Sequence, residues 1–215
     1  MVRPDISIKL KILLENESFK KILDVGGTQD SYDFLREIFP SSKIFSINIK
    51  KSDLPKNNAI LANAEELPFE DDYFDLIFVR EVIEHLVKPD KFIEETKRTI
   101  KNSGKIILST PNLNSWHIRI LILLGYAPTN YTPYPGKTYG IPRFFKTEPK
   151  YDHIRVFPYR ALKEIFNTNG FMLEEIHGVM AFSENVWLKN IRKIIGMFLP
   201  NSWKEDVVLK AKIIK

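Results

Sequence analysis

Short apolar runs alternate with amphipathic segments along the first half of the chain. Runs rich in Ile, Leu, Val and Phe predict buried strands, and segments with apolar residues at helical spacing predict helices. The predicted strands cover residues 21–25, 43–48, 59–63, 74–82 and 105–112, and the predicted helices cover residues 6–15, 31–39 and 89–100. This alternation favours right-handed crossovers and therefore a parallel, doubly wound α/β sheet.

The alternation stops near residue 113 and resumes near residue 155. We interpret residues 113–155 as a long insertion at the carboxyl end of the fifth strand, the edge at which open α/β sheets bind ligands. The later pattern predicts a helix at 158–170, a strand at 171–179, a helical segment at 184–198 and a last strand at 206–214. A chain of 215 residues is expected to form one domain, here residues 1–215.

The stretch KILDVGGTQD joins the first strand to the next helix. Gly26 and Gly27 predict a tight turn, and Ser31 is a suitable N-cap for the helix. Such a turn lets backbone N–H groups approach a ligand closely, although a tight turn without a ligand fits the two glycines equally well. Asp24, just before the turn, would repel a phosphate and would suit a cationic or polar ligand.

Composition narrows the chemistry and the partners. The chain has no cysteine, which excludes disulfides, thiolate metal sites and a cysteine nucleophile. Its net charge of +5 is spread among acidic residues rather than gathered in a dense block, which argues against nucleic acid as a partner. The first residues lack the apolar core of a secretory signal, and no apolar run is long enough to span a bilayer, so we expect a cytoplasmic protein.

Four segments in order carry a resemblance to a known family. They are ILDVGG, NAEELPFEDDYFDLIFVREVIEHL, KIILSTPN and HIRVFPYRALKEIFNTNGF, within residues 21–171. Together they resemble the class I S-adenosylmethionine-dependent methyltransferases, in particular the small-molecule type with AEELPF and EHL signatures. The resemblance implies a Rossmann-like sheet of seven strands, mostly parallel with an antiparallel last strand, and S-adenosylmethionine as cofactor.

The resemblance also implies where the cofactor would bind. Asp24, Gly26 and Gly27, with Thr28 in the same loop, would face its methionine part, and Asn48 would meet the ribose. The adenine would be flanked by Asn63, Ala64 and Glu65, and Arg80 would lie beside the cofactor. The family usually has a glycine near Thr28 and acids in place of Asn48 and Asn63, so a domain that binds without catalysis is an alternative.

A second group of residues follows the fourth strand. Glu81, Glu84 and His85 have the spacing that places side chains on one face of a helix, and His153 follows the insertion. Two carboxylates and two imidazoles could bind a divalent metal, as in similar metal-assisted O-methyltransferases. Alternatively, His85 or His153 acts as a general base without metal, or these residues only brace the fold.

The insertion is rich in aromatic and apolar residues and could cover a substrate pocket. These residues are Trp116, Leu121, Leu123, Leu124, Tyr126, Tyr131, Tyr134 and Tyr139. The runs WHIRILILLGY and VWLKNIRKIIGMF also suit peripheral contact with a membrane, although core or dimer packing is an alternative.

We therefore expect methyl transfer to an oxygen of a small molecule, lipid or glycan, with a binding or scaffold protein and an RNA methyltransferase as alternatives. The oligomeric state stays open.

Overall fold

A computed structural model describes residues 4–130, 140–142, 153–180 and 194–214. Its strands are β1 (Lys21–Val25), β2 (Lys43–Asn48), β3 (Ala59–Leu61), β4 (Phe74–Arg80), β5 (Ile100–Pro111), β6 (Phe171–Val179) and β7 (Asp206–Ile213). They form one seven-stranded sheet with the order β3-β2-β1-β4-β5-β7-β6. The predicted α/β sheet of seven strands is therefore confirmed.

The strands from β3 to β5 are parallel, and β7 is antiparallel to both of its neighbours. Parallel strands are normally covered on both faces, which explains the nearly continuous apolar sequences of β1 and β4. The antiparallel last strand is confirmed, and it lies between β5 and β6 rather than at the sheet edge.

Five α-helices lie wholly in the described ranges: α1 (Pro4–Leu14), α2 (Gln29–Ile38), α3 (Pro89–Thr99), α4 (Trp116–Leu123) and α5 (Tyr159–Thr168). Neighbouring residues of β1 belong to different hydrophobic cores, because successive side chains of a strand point to opposite faces. Ile22 packs with residues of α1 and α2, whereas Leu23 packs with residues of α3 and α5. The sheet is thus wound on both faces.

None of the helices in the described ranges is both long and apolar enough to cross a membrane.

Several predicted boundaries are wrong. Strands β3 and β4 end at Leu61 and Arg80 rather than at residues 63 and 82. Helix α2 begins at Gln29 with Thr28 as its N-cap, so Ser31 is not the cap but the partner of Thr28 in a capping box. Strand β5 begins at Ile100 rather than at residue 105. Ile100 already pairs with Phe74, and an irregularity in the register carries the chain to the pair of Leu76 with Lys105.

The insertion contains α4, which follows the end of β5. Tyr131, Tyr134 and Tyr139 of the predicted cover lie outside the described residues. The predicted helical segment at 184–198 lies mostly outside them as well, and its last residues, 194–198, are helical. The interpretation of residues 113–155 as a substrate cover, like that of residues 1–215 as one domain, stays a prediction.

Candidate active site at the carboxyl edge of the sheet

The carboxyl ends of β1, β2 and β4 lie side by side. Val25 at the end of β1 pairs with Ile47 of β2 on one side and with Val79 of β4 on the other. The loops that follow these strands therefore meet at one edge of the sheet. The residues predicted to bind the cofactor all lie in these loops, at these strand ends or just after β3.

The two glycines after β1 are required by the packing of the protein itself. Gly26 has a positive φ of 71°, and a side chain there would collide with Val82. A Cβ atom on Gly27 would lie 2.6 Å from the Cβ atom of Ser46, and the Gly27 N–H donates to the Ile47 carbonyl at 2.8 Å. A Gly26→Val variant would therefore disturb the contact with Val82 whether or not a ligand passes there.

Asp24 lies beneath the turn with only 1% of its surface exposed. Its Oδ2 atom accepts hydrogen bonds from Ser31 Oγ at 2.6 Å and from Ser46 Oγ at 3.3 Å. Burial raises the pKa of Asp24 to about 7, while these hydrogen bonds and the nearby charge of Arg80 oppose the rise. The carboxyl group therefore supports the turn from inside, with Arg80 half-buried at the end of β4 as its nearby cation.

Asn48 joins the end of β2 to the glycine turn. Its Nδ2 atom donates to the Gly27 carbonyl at 3.1 Å, and its Oδ1 atom accepts from the Lys50 N–H at 3.0 Å. Both ends of the amide thus hold the loops in place. The next residue, Ile49, is 69% exposed at this edge, and Leu61, which pairs with Asn48 across β3, is 58% exposed.

The loop after β3 is held by its own polar groups. Asn63 Oδ1 accepts from the Glu65 N–H at 3.0 Å, and Ala64 is buried in the core. Glu65 Oε1 accepts from the N–H groups of Val87 and Lys88 at 2.8 and 2.9 Å. Glu65 therefore connects the loop after β3 to the start of α3.

The segment EVIEHL is not the helix that the spacing predicts. Glu81 has a positive φ of 56°, and only a short 3-10 turn, Ile83–His85, follows. The chain turns sharply at Glu81 because its N–H donates to the Ser109 carbonyl and its carboxylate accepts from Ser109 Oγ at 3.0 Å. Glu81, Glu84 and His85 consequently do not share a helical face, and Glu81 is not part of the cluster described next.

Glu84, His85 and His153 form a compact group, although His153 is distant in sequence. One ligand atom from each residue lies within 4.8 Å of the other two. The rings of His85 and His153 are 4.8 Å apart at their centres and meet edge to face. The backbone explains this meeting, because the Glu84 carbonyl accepts from the N–H groups of Ile154 and Arg155 at 2.8 and 3.0 Å.

Hydrogen bonds orient the members of this group. Glu84 is fully buried, and its Oε2 atom accepts from Thr110 Oγ1 at 2.9 Å. His153 Nδ1 lies 2.8 Å from the Asn130 carbonyl, which can only accept, so Nδ1 carries a proton. In the neutral ring, Nε2 of His153 is therefore a proton acceptor. One carboxylate and two imidazoles could also hold a divalent metal.

Comparison with known proteins identifies the family of this chain. A family model described as a methyltransferase domain matches residues 6–176. The chain belongs to this methyltransferase family. It is an S-adenosylmethionine-dependent methyltransferase, and S-adenosylmethionine is its cofactor.

Individual relatives differ in how much of this chain they match and in how similar they are to it. An uncharacterized protein of Methanocaldococcus jannaschii is 28% identical over 80% of this chain and 84% of its own length. The ubiquinone/menaquinone biosynthesis C-methyltransferase UbiE of Cupriavidus metallidurans is 30% identical, but the match covers only 41% of this chain and 42% of that protein. A solved S-adenosylmethionine-dependent methyltransferase from Archaeoglobus fulgidus has the same fold, with a TM-score of 0.61, 18% identity and coverage of 98% and 94% of the two chains.

The structure adds residues that the sequence did not single out. Ile49 and Leu61 offer exposed apolar surface next to Asn48, which suits one face of the adenine ring. The signal for Ile49 was present in the sequence as an apolar residue just beyond a strand end. Thr110 and Asn130, which orient Glu84 and His153, gave no such signal because their roles depend on contacts distant in sequence.

Proposed function

We propose that this methyltransferase transfers a methyl group to a hydroxyl oxygen of a small molecule, lipid or glycan, with His85 or His153 as general base. The observation that carries the proposal is the group of Glu84, His85 and His153. The group comes shortly after β4, and Val82 between them lies against Gly26 of the glycine turn. This proximity supports a proton acceptor beside the predicted cofactor site.

The cofactor would lie along the edge formed by the ends of β1 to β4. The exposed side chains of Ile49 and Leu61 would contact adenine, and Asn48 and Asn63 would offer polar groups to the nucleoside. Asp24 and Arg80, with Gly26, Gly27 and Thr28, would form the floor near the methionine part. Ala64 and Glu65 would hold the loop that borders the adenine. These residues are chemically compatible with a ligand that has an apolar ring, a polar ribose, and both positive and negative charges.

The residues of the cluster would handle the proton of the acceptor. When bound, S-adenosylmethionine supplies an electrophilic methyl group on a positively charged sulfur. The acceptor oxygen forms the new bond to the methyl carbon while the bond to sulfur breaks, and the hydroxyl proton leaves. His153 can take this proton on Nε2, because its Nδ1–H stays bonded to the Asn130 carbonyl. His85 is the alternative base, and its Nε2 atom lies 3.9 Å from Glu84 Oε1.

Two histidine variants test the base. We expect His85→Ala or His153→Ala to lower turnover by about 10²- to 10⁴-fold with unchanged affinity for S-adenosylmethionine, because a base acts on the proton and not on the cofactor. Turnover is followed with a radiolabelled methyl donor and fractionated cell extract, and affinity by calorimetry. His177→Ala serves as control, because His177 lies on β6 and contacts Glu175 instead of this group.

The same assay separates the alternatives. Loss of activity with a chelator and recovery with Mg²⁺ or Mn²⁺ would show that the histidines bind a metal, which contradicts their role as bases. Equal loss of thermal stability and turnover would show that they brace the fold. The second candidate is a binding or scaffold protein, because Asn48 and Asn63 stand where the family usually has acids. Tight binding of S-adenosylmethionine without turnover in any extract would favour this candidate.

A further inference from the structure

Two stretches of the chain combine basic and apolar residues without any acid. Residues 113–147 and 185–204 contain eight Lys or Arg and no Asp or Glu. Since the whole chain has a net charge of +5, the remaining residues are net negative. The excess of positive charge therefore comes from these two stretches, although their basic residues are spread along them and form no dense block. Of these basic residues, Arg119 and Lys204 lie in the part of the chain that the structure describes.

The described parts of the two stretches meet at one end of the sheet. Pro111 at the end of β5 pairs with Asp206 at the start of β7, so the chain leaves and enters the sheet at the same edge. Asn112 Nδ2 donates to the carbonyls of Ser202 and Lys204 at 3.0 and 2.7 Å. The guanidinium group of Arg119 lies 4.6 Å from the centre of the Trp203 ring. The start of α4 is thus in contact with the described end of the second stretch.

This region exposes many apolar side chains. Helix α4 buries Ile118 and Leu121 against the protein, yet Leu123 is 85% exposed, and Leu124 after it is 65% exposed. In the second stretch, Met197 is 75% exposed and Phe198 is 83% exposed. Half of the exposed large apolar side chains of the described residues fall in residues 120–126 and 194–203. An apolar region of this kind marks an interaction surface.

We infer that this surface docks the protein on an anionic lipid membrane. The apolar-basic surface consists of Arg119, Leu123, Leu124, Met197, Phe198 and Trp203. Apolar side chains with tryptophan enter the boundary between headgroups and acyl chains, while Lys and Arg attract anionic headgroups. Helix α4 is too short to cross a bilayer, so it lies along the membrane surface. Charge argues against a second copy of this chain as the occupant, because the two stretches carry basic residues and no acid that could pair with the basic residues of the other copy.

Vesicle flotation of the full chain tests this inference. We expect binding to vesicles of phosphatidylcholine mixed with phosphatidylglycerol, and weaker binding to phosphatidylcholine alone. Raising the salt from about 0.1 M to about 1 M should weaken the binding, because it screens the headgroup charges. Leu123→Glu and Phe198→Glu should each lower partitioning by roughly tenfold, because each places a charge in the apolar boundary.

Controls keep the result interpretable. Ile8→Glu places the same charge on α1, where Ile8 is 60% exposed, and should bind like the wild type. Circular dichroism checks that each variant is folded, and the two test variants lie in different stretches.

Failure of the wild type to float with anionic vesicles would overturn the inference, as would equal effects of all three variants. A dimer that Leu123→Glu dissociates, without vesicle binding, would identify a second copy as the occupant instead. None of these outcomes depends on the proposed base or acceptor.

Discussion

Among single residues, Asp24 shows how burial changes the chemistry of a side chain. Its carboxyl group is enclosed by β1, β2 and α2, and burial raises its pKa to about 7 from an ordinary value of 3.8. Ser31 and Ser46 donate hydrogen bonds to it. Near neutral pH, this residue therefore changes between its neutral and charged forms while remaining inside the fold.

Replacing Asp24 by asparagine should change how stability depends on pH. The folded pKa lies above the unfolded value, so the protonated carboxyl stabilises the wild type fully below pH 3.8, and this contribution is lost as the pH rises through about 7. The asparagine side chain of the variant does not ionise. The difference in unfolding free energy between Asp24→Asn and the wild type should therefore change in favour of the variant, by up to about 4 kcal/mol between acidic pH and pH 8.

Urea unfolding at a series of pH values measures this difference. Asp53→Asn, at an exposed position after β2, is the control and should keep the wild-type dependence. A constant difference between Asp24→Asn and the wild type across the range would show that Asp24 does not titrate near neutral pH.

At the same scale, the sequence predicted where the candidate residues lie in the fold better than it predicted their contacts. Strand ends and glycines located Asp24, Gly26, Asn48 and Arg80 at one edge. The contact of Gly26 with Val82 was not predictable, because it depends on a left-handed turn at Glu81 that no glycine signals. The meeting of His85 with His153 likewise depends on backbone hydrogen bonds between segments far apart in the chain.

At the scale of elements, Asn112 holds together the end of β5, the start of β7 and the start of α5. Its side chain is fully buried. It donates to the carbonyls of Ser202 and Lys204, and its Oδ1 atom accepts from the N–H groups of Asn114 and Tyr159 at 3.1 and 3.2 Å. One amide therefore satisfies backbone groups from three parts of the chain.

Removing this amide should loosen all three elements together. We expect Asn112→Ala to lower the unfolding free energy by about 2–4 kcal/mol, because buried carbonyl and N–H groups lose their partners. Hydrogen exchange should increase at the first residues of β7 and α5. Asn114→Ala, at the neighbouring and less buried asparagine, provides the control. Slow exchange at both elements in Asn112→Ala would contradict the role of Asn112.

The elements themselves were largely predictable because their signals are local. Apolar runs located β1, β4 and β6, and Gly170 after α5 marks the end of that helix with a φ of 81°. The early start of β5 could not be predicted, since residues 101–104 are mostly polar and join the sheet through an irregular register. The sequence predicted Ser31 as the N-cap of α2, and only the geometry shows that Thr28 caps the helix by accepting from the Ser31 N–H.

At the scale of the whole molecule, a set of ion pairs ties the segment after α1 to three strands. Glu17 Oε1 lies 2.7 Å from Lys105 Nζ of β5 and 3.0 Å from Lys210 Nζ of β7. Lys105 also pairs with Glu174 of β6 at 3.0 Å. Burial by itself would raise the pKa of Glu17, but the hydrogen bonds and charges of the two lysines lower it below its ordinary value.

Neutralising Glu17 should weaken the fold at neutral pH. Glu17→Gln is expected to lower the unfolding free energy by about 1 kcal/mol, because the pairs are largely shielded from water. With a lowered folded pKa, the contribution of Glu17 is present above its ordinary pKa of 4.5 and is lost as the pH falls through the folded value. The two proteins should therefore become equally stable in acid.

Chemical denaturation at neutral and acidic pH provides the measurement. Glu37→Gln removes an ion pair with Lys11 whose side chains are 68% and 53% exposed, and it should have little effect at either pH. Identical effects of the two substitutions would mean that the Glu17 pairs contribute no more than exposed ones.

The place of β7 in the sheet affects how the protein folds as it is synthesised. Among the strands that the structure describes, β7 comes last in the chain, yet it is inserted between β5 and β6. On the ribosome, β5 and β6 therefore emerge before the strand that must separate them. Until residues 206–213 appear, β5 has an open edge that could pair with another nascent chain. A chaperone that acts during translation is therefore expected to shield β5 and β6 rather than the strands made first.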